Sequence, residues 1–96
     1  MEPVTIVKQS KQADGWKFTV AVGEQGDTTS HTVDLQESYY QQLTNGTLPP
    51  DELVIRSFEF LLAREPKTSI LRKFNLQVIE DYFPDYPEKA QRWQSL

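Results

Sequence analysis

Cysteine is absent from the 96 residues, and histidine occurs once. A chain without thiols has no disulfide framework, no thiolate nucleophile and no zinc-thiolate site. Long apolar runs are missing too. The opening stretch Met1–Lys8 has neither the basic start nor the continuous apolar core of a signal peptide, and no later segment approaches the length of a membrane span. These absences lead to the expectation of a soluble, cytoplasmic protein with no membrane partner. Motifs for phosphate cradles, dinucleotide binding, EF-hand loops and nucleophile elbows are likewise missing.

A strong charge of one sign is also lacking. The net charge is −4, with three Lys/Arg against six Asp/Glu in residues 1–50 and seven against eight in residues 51–96. Neither half is a polycation, so nucleic-acid binding needs a local basic patch. What is present is ordinary for a globular chain, at 38% apolar and 25% charged. A chain this long buries roughly two-thirds of its unfolded surface, enough for one core. Residues 1–96 therefore read as a single α+β domain.

Trp16, Phe18, Val20 and Val22 alternate with Lys17, Thr19 and Ala21, the pattern of a strand with one buried face. His31, Val33 and Leu35 alternate with Thr32 and Asp34 in the same way. Gly26-Asp27 between them reads as a two-residue hairpin turn, which sets Val22 opposite His31, Val20 opposite Val33 and Phe18 opposite Leu35. A preceding strand is expected from Val4. A three-residue loop Ala13-Asp14-Gly15, with Gly15 left-handed, sets Ile6 opposite Val22 and turns Val4 inward, leaving Val7 outside.

Helical spacing dominates the remainder. Leu35, Tyr39, Tyr40 and Leu43 predict a short helix over 34–44, stopped by Asn45-Gly46. Beyond the stiff Pro49-Pro50 connector, Val54, Phe58, Leu61 and Leu62 mark the main helix over 51–64, with Asp51 and Glu52 at its start and Arg64 at its end. Pro66 breaks it. Thr68 or Ser69 is read as the cap of a short helix carrying Ile70, Leu71 and Phe74. Asn75 caps another over 76–83, and a last helix runs from Glu88. The expected architecture is α+β, with an N-terminal three-stranded antiparallel β-meander packed on one face by the main helix and several short C-terminal helices.

The stretch from Ser57 to Pro66, continuing through Ser69-Ile70-Leu71-Arg72-Lys73-Phe74 to Tyr82-Phe83-Pro84-Asp85-Tyr86, resembles a family of short bacterial hypothetical proteins. The Asp14-Gly15 hairpin before the Trp16-x-Phe18-x-Val20 strand is similar to their N-terminal halves. The resemblance covers most of the chain and implies no activity, cofactor or partner.

Catalysis finds little to work with. His31 falls at an inward position near a strand end, which suits a hydrogen-bonded structural residue better than an acid-base. Asp51-Glu52 and Glu80-Asp81 are neighbours on helices, so their carboxylates diverge by about 100°. No catalytic, metal or cofactor residue is expected. Two groups remain as candidate contacts. Arg56, Arg64, Lys67, Arg72 and Lys73 form the one local positive excess, on a pair of short helices reminiscent of a helix-turn-helix; Arg64, Lys67, Arg72 and Lys73 are its candidate anion or nucleic-acid contacts. Tyr82, Phe83, Tyr86 and Trp93 are the candidate partner-binding aromatics, most of them also needed by the core. The expected role is a non-catalytic accessory or interaction protein acting on another protein or a second copy, with a nucleic-acid-binding regulator and an unrecognised enzyme as the rival readings.

Overall fold

A computed structural model describes residues 2–93. Three antiparallel strands come first: β1 (Val4–Gln12), β2 (Gly15–Val22) and β3 (Thr29–Gln36). Helices α1 (Glu37–Thr44) and α2 (Pro50–Leu62) follow, then a 3₁₀ turn at Lys67–Ser69. A fourth strand β4 (Lys73–Asn75), α3 (Val78–Tyr82) and α4 (Tyr86–Arg92) complete the described chain. The class is α+β. The sheet, however, has four strands in the order β1-β2-β3-β4, with β4 parallel to β3.

The alternation in β2 and β3 works as its period dictates. Phe18, Val20, Val22, His31, Val33 and Leu35 are buried, whereas Lys17 and Ser30 on the other face are exposed. The register differs from the expected one by two residues. Val22 pairs with Thr29, Val20 with His31 and Phe18 with Val33, because the 23–28 connection is centred on Gln25-Gly26, one residue before the Gly26-Asp27 pair. A shift of two preserves every face, so the core composition is unaffected. Gly23 is the residue the loop depends on. Its φ of 116° is left-handed, and an added Cβ would meet the Asp27 carbonyl and the Lys67 ammonium.

The first hairpin reaches the expected faces by another route. Gln12 pairs with Gly15 across a tight Ala13-Asp14 turn, and Gly15 lies in the strand rather than in the left-handed region. Its lack of a side chain serves close packing, since a Cβ there would collide with the Leu35 carbonyl oxygen. Uninterrupted, that turn would bring Val7 inward. A β-bulge between Ile6 and Lys8 absorbs Val7, so Ile6 pairs with Val20 and Val4 with Val22. Ile6 and Val4 pack against the core, and Val7 is exposed.

β3 extends through Gln36, so α1 begins at Glu37 and not at Asp34. Asn45 ends it in the left-handed conformation, donating its N–H to the Gln41 carbonyl at 2.8 Å. α2 starts at Pro50, whose fixed φ suits a first helical turn, and buries Leu53, Val54, Ser57, Phe58, Phe60 and Leu61. The short helix expected from Thr68 does not form. Ile70 is buried, Leu71 and Arg72 form an exposed bend, and from Lys73 to Leu76 exposed and buried positions follow strand alternation, with Phe74 and Leu76 inward. The Thr32 N–H donates to the Arg72 carbonyl and the Leu76 N–H to the Asp34 carbonyl, both at 2.8 Å, holding the segment to β3. Asn75 is the last residue of β4 and not the expected helix cap: its Oδ1 accepts from the Gln77 N–H at 3.1 Å across a turn, and α3 starts only at Val78, with Gln77 as its N-cap residue. α4 begins at Tyr86, ahead of Glu88, with Pro87 in its first turn.

Candidate functional site

His31 is 1% exposed. Its Nδ1 lies 2.7 Å from the Leu71 carbonyl oxygen and its Nε2 lies 2.7 Å from Thr29 Oγ1. A carbonyl only accepts, so Nδ1 carries the proton and donates; in the neutral ring Nε2 then accepts from the Thr29 hydroxyl. Burial holds the imidazole pKa below its ordinary value and the Arg72 charge adds to this, against the opposing effect of the Leu71 bond. Both ring nitrogens are engaged, and the Phe58 ring packs edge-on at 5.4 Å. The geometry is that of a tether between β3 and the segment entering β4. Among the described residues, no three His, Asp or Glu side chains gather as a metal site.

The basic excess over residues 56–73 is largely consumed within the fold. Arg56 pairs with Glu52 at 3.1 Å. Arg64 reaches Asp85 at 3.0 Å, stacks 3.7 Å over the Phe60 ring and donates to the Phe60 carbonyl. Lys67 is buried with its ammonium between the Glu2 carboxylate, at 2.7 Å, and both the carbonyl and carboxylate of Asp27. The Glu2 bond, assisted by Asp27, raises its pKa. Only Arg72 and Lys73 of the five extend into solvent without a described ion pair. The helix-turn-helix likeness also lapses, because this segment is a 3₁₀ turn and a strand.

The aromatic group divides in a similar way. Tyr86 is fully buried and its hydroxyl lies 2.6 Å from Ser57 Oγ, which itself donates to the Leu53 carbonyl; the tyrosine is therefore the donor. Burial pushes its pKa up. Phe83 packs edge-on to Phe60 at 5.9 Å, and Trp93 touches both Phe60 and Tyr86. The last helix thus docks on its own helical layer. Tyr82 alone is left outside, 66% exposed.

Tyr82 borders a cleft of about 130 Å³ between the end of α2, the approach to β4 and α3. Leu61, Ile70, Leu71, Phe74 and Val78 supply apolar walls, with Glu65 and Ser69 among the lining residues. The volume is close to the roughly 150 Å³ of apolar cavities that admit benzene. α3 is held in place by Tyr39 on α1, whose hydroxyl donates to Glu80 at 2.7 Å. Helical spacing over residues 68–74 hides this site in the sequence, because Leu71 lies on an exposed bend before β4 and not on a helix. A second cleft, of about 270 Å³, opens at the sheet end around Gln12, Asp14, Trp16 and Asp34. Its walls are mainly polar, and the Trp16 ring is already engaged by Lys11 and Tyr40.

No helix among the described residues is long and apolar enough to cross a membrane. No protein-family model, curated protein or solved structure matches the chain.

Proposed function

We propose that this protein is a non-catalytic interaction module whose partner, a protein, occupies the cleft between α2, β4 and α3. One observation carries the reading. Val7, Leu71 and Tyr82 are the exposed large apolar side chains among the described residues. The bulge accounts for Val7. Leu71, at 46% exposure, and Tyr82 both border one apolar cleft, and folding of this domain gives neither a reason to be apolar. A cysteine-free chain needs no oxidising compartment, which supports a cytoplasmic partner.

The test places a photo-crosslinking residue at Tyr82 and, as control, at Val7, in the cell. A discrete protein adduct is expected from position 82, absent from position 7 and lost with Leu71→Glu. Adducts equally abundant from both positions, or none from position 82, would overturn the reading. The nucleic-acid rival predicts instead a salt-sensitive gel shift that Arg72→Glu with Lys73→Glu removes while Leu71→Glu leaves it intact.

A further inference from the structure

β4 closes one edge of the sheet and pairs on one side only, with β3. The Arg72 carbonyl and Leu76 N–H point to β3, so by strand alternation the peptide groups of Lys73 and Asn75 point the opposite way, toward the open edge. Phe74 stands opposite Val33 and shares its core face, and it also lines the cleft. The space between sheet and helices therefore continues past β4 instead of being closed by it. A further strand laid along this edge would set its inward side chains beside Phe74, in the cleft, while its backbone met Lys73 and Asn75.

We infer, building on the interaction reading above, that the occupant is an extended acidic peptide that adds to β4 as a fifth strand. It inserts an apolar side chain between Phe74 and Tyr82 and sets carboxylates near Arg72 and Lys73. Strand addition combines main-chain hydrogen bonds for affinity with side-chain pockets for selection, and this site offers both. Charge decides the kind of partner. Arg72 and Lys73 are exposed at the β4 edge, outside the lining of the cleft, whose one charged residue is Glu65 on the bend after α2. The cations therefore face the outer side of an added strand and not its inward side chains. A second copy of this chain suits the edge poorly. Its own free edge strand, β1, carries Lys8 and Lys11, and a β4-to-β4 pairing would bring Lys73 toward Lys73. A lysine on a short edge strand also discourages unselected pairing, and an acidic strand turns that guard into an attraction.

The probe is a short peptide alternating leucine with glutamate, titrated to millimolar concentration into isotope-labelled full-length protein and followed by amide chemical shifts. Shifts concentrated at Leu71–Asn75 and Val78–Tyr82 are expected. The same peptide N-methylated on alternate amides is expected to bind at least about tenfold more weakly, as is the original peptide to Lys73→Pro. The proline removes an outward N–H and no bond to β3, and Lys73→Gln controls for the lost charge with a smaller effect. If Lys73→Pro does not fold, the N-methylated peptide answers the same question. Absence of shifts, equal binding by a leucine–lysine peptide, or an oligonucleotide shifting these amides where the acidic peptide does not would each overturn the inference. Cleft binding indifferent to N-methylation and to Lys73→Pro would also overturn strand addition, yet leave the interaction module standing. Loss of the position-82 adduct would instead remove the module itself.

Discussion

Phe58 sits where α2, β3 and β4 meet, fully buried, with the His31 ring at 5.4 Å and the Phe74 ring at 6.0 Å. Truncation removes contacts from two strands at once, so Phe58→Ala is expected to cost about 3–5 kcal/mol. Thermal melting checks this, and an unchanged midpoint would take Phe58 out of the core. Its neighbour His31 makes stability depend on pH. The folded protein holds the neutral ring, so its pKa lies below the ordinary 6.5, and the unfolded chain binds the proton more readily. Stability is therefore full above about pH 6.5 and lost as pH falls through that value toward the folded-state pKa. Denaturant midpoints measured from about pH 7.5 down to about pH 5.5 should fall for the native protein and less for His31→Gln. Identical slopes would show that the imidazole is not responsible. The inward place of His31 was legible from alternation alone. Its tether to Leu71 was not, since forty residues separate the partners. Lys67 was illegible for the same reason, with Glu2 sixty-five residues away.

At the scale of the element, β1 holds a residue that its pairing does not need. Lys8 pairs with Thr19 and Ile6 with Val20, consecutive positions on β2, with Val7 unmatched between them. Deleting Val7 leaves these pairs as an unbroken ladder, whereas deleting Thr5 moves Val4 from Val22 to Ala21 and off the core face. The Val7 deletion is thus expected to fold with a midpoint near the native one and the Thr5 deletion with a clearly lower one; the reverse order would refute the bulge. Which residues face the core in β2 and β3 is legible without the register, because a shift of two leaves every side chain on its face. The 23–28 loop is not legible from Gly26-Asp27 alone, since Gly23 and Gly26 both take positive φ and the loop centres on Gln25-Gly26. β4 is not legible in the sequence, because Ile70 and Phe74 fit a helical spacing as well as a strand one and a three-residue strand does not decide between them.

For the whole molecule, three strands and the main helix follow from local pattern, and the fourth strand follows from assembly. The cleft has the same origin. Its walls come from α2, the 3₁₀ turn, β4 and α3, which no window of sequence brings together. Composition excluded chemistries efficiently, whereas the surface left exposed by the finished core emerged only with the tertiary arrangement.

The parallel pairing of β4 with β3 has a temporal consequence. β1 to β3 are joined by tight connections, while β4 reaches its partner only after α1 and α2 have intervened. Pairing between distant segments carries a loop-closure cost and comes late in folding, and a short edge strand with few bonds opens locally at low cost. Three paired residues, assisted by the His31 bond to Leu71, hold this strand in place. Hydrogen exchange in the native state should therefore release the amides of Thr32 and Leu76, which cross the β3–β4 seam, well before those of the β2–β3 ladder. Simultaneous release of both sets would mean that the sheet opens as one body. If the seam does open first, the proposed binding surface is the last feature of the domain to mature and the earliest to dissolve, and an arriving strand would slow its exchange by holding shut the seam on which it rests.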